Sequence, residues 1–161
     1  MKKNKIVAIV QARWNSSRFP GKVLKLINNE TVLKHVFKSL KSTKLIDEIC
    51  CAMPNDPSSK PIALEAKKFG ARTFFGEEKN VLKRFYDAAS RLKADIIIRV
   101  TSDCPLTNPI ENQKVINKLL SKINELDYVS NNLLHSYPHG LDCEAFTFNA
   151  LKTCFLSASS D

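Results

Sequence analysis

Apolar positions recur along this chain in two rhythms. Short runs rich in β-branched and aromatic residues, at 6–10, 48–53, 72–75, 95–101 and 128–130, read as strands, and Ile96-Ile97-Ile98 is the most strand-like of them. Between the runs, apolar residues three and four apart predict helices of ten to fifteen residues. Thr31 is placed to cap a helix reaching about residue 42, with Val32, Val36 and Leu40 on its buried face. Ser58 or Ser59 starts a second helix, with Pro61 in its first turn and Gly70 as its C-terminal cap. Further helices are expected over about 80–92 and 110–123. Residues 141–148 alternate well enough for a last strand, and Asn149 or Ala150 begins a helix that runs on to the chain end.

Strands alternating with helices imply right-handed crossovers and a mostly parallel sheet. The fold class expected is therefore α/β, a three-layer α/β/α sandwich with a Rossmann-like sheet. Residues 6–10 contain no polar side chain, as in strands buried on both faces, and ligands of such sheets lie beyond the strands' C-terminal ends. Neither repeat nor domain-scale linker interrupts the pattern, so one domain is expected over 1–161. The longest loop, residues 131–140 with Pro138 and Gly140, is a candidate substrate lid.

Composition narrows the picture modestly. A chain of 161 residues with 43% hydrophobic content can bury one sizeable core. Its net charge of +9 suits nucleic acid, a membrane surface or phosphorylated small molecules equally. The lysines are scattered over nearly every predicted helix without a run of five basic residues, so most are expected on solvated faces. Five cysteines without a Cys-x-x-Cys pair indicate a reducing compartment. The N-terminus lacks the pattern of a secretory signal, and no apolar stretch approaches the roughly eighteen residues that span a bilayer. A cytoplasmic location away from membranes is expected.

Chemistry concentrates in three loops. After the first strand, Ala12-Arg13-Trp14-Asn15-Ser16-Ser17-Arg18-Phe19-Pro20-Gly21-Lys22 brings three cations, Arg13, Arg18 and Lys22, to the ligand edge of the sheet. Phosphates need such charge-assisted donors together with backbone N–H groups, which Asn15, Ser16, Ser17 and Gly21 can offer. The loop is neither a Walker A nor a Gly-x-Gly-x-x-Gly motif, and an ordinary exposed basic loop is the alternative. In Arg99-Val-Thr-Ser-Asp103-Cys-Pro an acid follows a strand; Asp103 is either a Mg²⁺ ligand or the cap of the next turn. In Tyr137-Pro-His-Gly-Leu-Asp142-Cys-Glu144, two carboxylates two residues apart share one side of a strand, for sugar hydroxyls, a second metal or solvent. Arg84, on the 80–92 helix, points at a nucleotide or forms a surface ion pair. Trp14, Phe85 and Tyr86 are base-stacking or core aromatics, and His135 and His139 have no ligand-spaced partner.

Together, Gln-Ala-Arg, Ser-Ser-Arg-Phe-Pro-Gly-Lys-Val-Leu, Val-Leu-Lys-Arg-Phe-Tyr, Arg-Val-Thr-Ser-Asp-Cys-Pro-Leu, Asp-Tyr-Val-Ser-Asn and Gly-Leu-Asp-Cys-Glu-Ala-Phe occur in that order over nearly the whole chain. They resemble the cytidylyltransferases of the spore-coat polysaccharide F type, relatives of the acylneuraminate and 3-deoxy-manno-octulosonate cytidylyltransferases. The resemblance implies a nucleotide-diphospho-sugar transferase fold. It also implies an enzyme that joins CMP from CTP to a sugar acid and releases pyrophosphate, in surface polysaccharide or glycoconjugate synthesis, with Mg²⁺ as cofactor.

By the same resemblance Arg13, Lys22 and Asp103 are catalytic and Asp103 holds the metal. Ala12, Arg13, Asn15, Ser16, Ser17, Arg18, Lys22, Arg84 and Thr101 bind the nucleotide, and Asp142 and Glu144 bind the acceptor. Asn15 stands where the family commonly has Gly, and Thr101 where sugar-acid synthetases carry a glutamine near the base. Family members usually continue for another third, which implies a C-terminally shortened chain, and a homodimer where that part is present. Partners expected are CTP and a sugar acid, with no nucleic acid. A non-catalytic nucleotide- or sugar-binding module is the alternative function.

Overall fold

The computed structural model describes residues 3–16, 18–134 and 138–158. Its six-stranded sheet has the order β5-β4-β1-β6-β8-β7. The strands are β1 (Ile6–Gln11), β4 (Glu48–Pro54), β5 (Arg72–Gly76), β6 (Ile96–Thr101), β7 (Tyr128–Ser130) and β8 (Glu144–Thr147). Neighbours from β5 through β6 pair in parallel, while β8 runs antiparallel to both β6 and β7. Helices α1 (Val32–Ser42), α2 (Lys60–Lys68), α3 (Val81–Leu92), α4 (Pro109–Ser121) and α5 (Phe148–Ser157) cover the two faces. The mostly parallel α/β sandwich expected from the sequence is the one that forms.

Alternation along β1 assigns the layers. Ala8 and Val10 pack on one side with residues of α1, α2 and α4, including Leu33, Val36, Ile62 and Ile116. Val7 and Ile9 pack on the other with α3 and α5, against Phe85, Ala88 and Leu151. Odd-numbered β1 residues therefore face α3, and Gln11, at the end of that row, emerges where the apolar core stops.

Local chemistry explains the boundaries. The Thr31 side chain accepts from Lys34 N at 3.1 Å to cap α1, and Asn80 does the same from Lys83 N at 2.8 Å for α3. Gly70 takes a positive φ of 74° after α2. The buried face of α1 is Leu33, Val36, Phe37 and Leu40; Val32, expected there, lies in the first turn and is half-buried. Helix α2 starts after Ser59 with Pro61 in its first turn, as expected, but without a side-chain cap; just upstream, Asp56 accepts from Ser58 N and opens a 3₁₀ turn over Pro57–Ser59.

Two elements differ from those expected. A small hairpin, β2 (Leu26–Ile27) and β3 (Glu30–Thr31), turns through Asn28 and Asn29 with φ of 48° and 63°. Asn-Asn suits this two-residue turn because short amide side chains tolerate the left-handed region. The final strand starts only at Glu144, so Asp142 lies in the preceding loop and does not share a strand face with Glu144. The aromatic residues proposed for stacking are core instead. Phe85 is buried, Tyr86 stacks on Phe155 at 4.3 Å between ring centres, and Trp14 packs against the α1 side of the core.

Candidate active site

The site lies at the C-terminal ends of β1 and β6, where their register pairs Gln11 with Thr101. A cleft of about 430 Å³ opens there, lined by Gln11, Arg13, Ser16, Arg18, Lys22, Val23, Val81, Arg99, Thr101, Ser102 and Asp103. Its walls come from the loop after β1, the start of α3 and the loop after β6.

The first loop leaves the sheet with Ala12 N donating to Ala52 O at 3.1 Å, then folds around a single carbonyl. Trp14 O accepts from Ser16 N at 3.0 Å and from Gly21 N at 2.9 Å. Gly21 must be glycine for two reasons. Its φ is 68°, and a Cβ there would sit 3.0 Å from the Trp14 ring. The turn delivers Lys22 into a 3₁₀ helix, Lys22–Leu24, whose buried Val23 anchors it to the core.

From that anchor the Lys22 ammonium donates to Asp103 Oδ2, joining loops that lie 81 residues apart in sequence. Ser102 N donates to Gln11 O at 3.1 Å and fixes the second loop to the end of β1. Burial disfavours the Asp103 anion, but Lys22, with a smaller contribution from the Thr101 hydroxyl, outweighs it and holds the carboxyl below its usual range. The Thr101 hydroxyl also meets the Cys104 sulfur at 2.9 Å. Arg13 and Arg18 remain exposed at the rim.

Several expected residues thus converge. Arg13, Ser16, Arg18, Lys22, Thr101 and Asp103 surround one cleft, with Ala12 buried beneath it and Asn15 exposed on the same loop. Ser17 lies outside the described residues, as do His135 and Tyr137. Residues 135–137 of the 131–140 loop, the lid candidate, are likewise outside the described residues. His139 is exposed.

Arg84 makes no surface ion pair. It is 1% exposed, and its Nη1 donates to the carbonyls of Glu77 and Glu78, holding the loop before α3. Gly76 makes room for it, since a Cβ there would stand 3.0 Å from Arg84 Cγ. Burial lowers the Arg84 pKa, Glu78 opposes this, and Arg13 adds to it, which places Arg84 behind the cationic wall of the cleft.

Asp142 stands near Cys104, whose thiol is raised chiefly by burial, with smaller contributions that include this carboxylate. Its loop is held by Asn131, whose Nδ2 donates to Leu141 O at 2.9 Å and whose Oδ1 accepts from Cys143 N at 2.8 Å. Glu144 is ion-paired with Arg99. Arg99 is a cleft-lining cation to which motif reading gave no role, although its place two residues before Thr101 already put both on one strand face.

The donor set suits a hard divalent cation. Magnesium is commonly held by one or two carboxylates plus substrate phosphates, and Asp103 offers an ionised carboxylate with Oδ1 unused by Lys22. Among the described residues no group of three or more His, Cys, Asp or Glu forms a metal-sized cluster. A dedicated protein cage is therefore not what this cleft provides.

These features define a nucleotidyltransferase-type fold with a cationic cleft at its switch edge. A cytidylyltransferase family profile matches residues 7–159, and the chain belongs to that family. It is 36% identical over 154 residues to the uncharacterized protein MJ1063 of Methanocaldococcus jannaschii, covering 96% of this chain and 61% of that one. It is 34% identical over 106 residues to a 3-deoxy-manno-octulosonate cytidylyltransferase of Geobacter sulfurreducens, covering 65% of this chain and 41% of that one. The Bacillus subtilis spore coat polysaccharide biosynthesis protein SpsF is 31% identical over 110 residues, covering 66% of this chain and 46% of its own. A cytidylyltransferase structure from Leptospira borgpetersenii superposes with a TM-score of 0.94 at 26% identity, covering 98% of this chain and 66% of that chain. The chain thus spans between about two fifths and three fifths of the length of these curated relatives.

Proposed function

We propose that this chain transfers a cytidylyl group from CTP to a hydroxyl of a sugar acid, with release of pyrophosphate, in surface polysaccharide or glycoconjugate synthesis. The observation that carries the reading is the Lys22–Asp103 contact, which draws the cationic loop and the acidic loop to one cleft.

The residues account for the chemistry. The acceptor hydroxyl attacks the α-phosphorus, a new P–O bond forms, and the bond to the bridging oxygen breaks as pyrophosphate leaves. Negative charge spreads over the phosphoryl oxygens, so catalysis is mostly positioning and electrostatic stabilisation. Arg13, Arg18 and Lys22 supply cations at the rim, and Ser16 offers a hydroxyl from the same loop. Asp103 would hold Mg²⁺, which supplies charge neutralisation at the phosphates when bound. Lys22 holds the Asp103 carboxyl below its usual range, which favours the anion that role calls for.

Incubating the protein with radiolabelled CTP, Mg²⁺ and a panel of sugar acids tests the reaction through pyrophosphate release. Comparing ATP, GTP, UTP and CTP by thermal shift tests the base. Release that depends on one sugar acid, with stabilisation greatest for CTP, is expected. Failure of CTP to stabilise the protein at all removes the reading. Stabilisation without release from any acceptor favours a non-catalytic binding module instead.

A further inference from the structure

Arg99, which lines the cleft, is half of a charged pair that the triphosphate reading leaves without a task. Register places Arg99 of β6 opposite Glu144 of β8, and Glu144 opposite Ser130 of β7. One row across three strands therefore carries Arg99, Glu144 and Ser130. The Arg99 guanidinium donates through Nη1 to Glu144 Oε1, and the side chains are 36% and 17% exposed. Arg99 lines the cleft, and the rest of the row leads away from the phosphate-facing loop toward the β7 edge.

We infer that Arg99 is the receptor for the acceptor's carboxylate and sets the specificity of this site for acids over neutral sugars, with Glu144 positioning it. The inference rests on the cytidylyl-transfer reading for its choice of substrate but on separate residues for its argument.

Arg99 reaches the cleft from strand β6, whereas Arg13 and Arg18 reach it from the loop after β1. Arg13 and Arg18, exposed at the rim, form no ion pair with another described residue, while Lys22, from the same loop, is tied to Asp103. Arg99 has its charge already offset by Glu144 and sits two residues further into the strand than Thr101, roughly 6–7 Å from the strand's end. An arginine held by one carboxylate keeps further N–H donors in a planar fork, which matches a second, singly charged carboxylate in bidentate fashion. Glu144 spends Oε1 on Arg99, so it acts first as the group that orients this fork.

The test compares 3-deoxy-manno-octulosonate with its methyl ester, which removes the anionic charge and leaves the hydroxyls. Binding of each to the wild-type chain is measured by saturation-transfer NMR, without CTP. The acid is expected to bind roughly tenfold or more tightly than the ester, the range of one charge-assisted pair. R99Q is expected to erase that preference while CTP stabilises the variant as it does the wild type. R99K, which keeps charge and loses the fork, recovers part of it, and E144Q reduces it.

Equal binding of acid and ester by the wild type overturns the inference, and so does binding of neither. An acid preference that survives R99Q overturns it as well, as does R99Q losing CTP stabilisation in place of the acid preference. Pyrophosphate release is scored apart from this. A chain that discriminates acid from ester but never turns over sinks the transfer reading alone, and turnover without discrimination sinks only the role of Arg99.

Discussion

Changing Asp103 to Asn separates what the Lys22–Asp103 contact does for the fold from what it does for chemistry. The two side chains are 30% and 37% exposed, so water screens the pair and its coupling should fall in the surface range, about 0.5–1 kcal/mol. In a chain of this size that shifts the melting midpoint by only about 1–4 °C. Asn preserves the shape of Asp103, and the loop keeps its backbone tie from Ser102 N to Gln11 O. Transition-state stabilisation is another matter, since removing one such group typically costs about 10²–10³ in rate.

Denaturant unfolding of wild type, D103N, K22M and the double variant gives the coupling energy, and CTP-dependent pyrophosphate release gives the catalytic loss. The pH dependence follows from the lowered carboxyl. Because the folded pKa lies below the ordinary value of 3.8, the stability it contributes is fully present above 3.8 and is lost as pH falls through the folded value. The coupling measured at neutral pH should therefore vanish in acid. A coupling above about 3 kcal/mol would show that the pair holds the fold together in the manner of a buried pair. A D103N protein with wild-type turnover would refute the active-site reading.

Gly21→Ala should destabilise by about 1–3 kcal/mol, because it combines a left-handed φ with a 3.0 Å approach to the Trp14 ring; circular-dichroism melting checks this, and CTP affinity should fall with it. Asn131→Ala should cost about 1–3 kcal/mol by leaving Leu141 O and Cys143 N without their side-chain partner, and hydrogen exchange should rise at the 141–143 amides in particular. Ellman's reagent at pH 8 should modify exposed Cys154 first and half-buried Cys104 slowly. Cys50 and Cys143, which burial pushes up to about 12, and fully buried Cys51 should react only on unfolding. A chelator such as EDTA should abolish pyrophosphate release without unfolding the protein, as expected for an ion held by one carboxylate and substrate.

Much of this protein was legible locally. Hydrophobic period, the cap Thr31 and the glycine at 70 are short-range devices, and each appears in the fold where the sequence places it. The motifs taken together also identified the family and the loops that bear charge. No helix among the described residues is long and apolar enough to cross a membrane, which the hydropathy pattern already implied.

What only the tertiary structure decided is which distant side chains share a partner. Whether Arg84 faces ligand or core depends on Gly76 vacating the space its stem fills, a fact of strand-to-helix packing. Asp142 and Glu144 were separated because β8 begins one residue after Cys143, where pairing with β6 sets in. The contacts of Lys22 with Asp103 and of Arg99 with Glu144 span 81 and 45 residues. Local propensity carries no information about such pairs, because their distance is set by sheet order and register. The sequence by itself determined the elements and their chemistry; the order of strands in the sheet determined which of those charges meet.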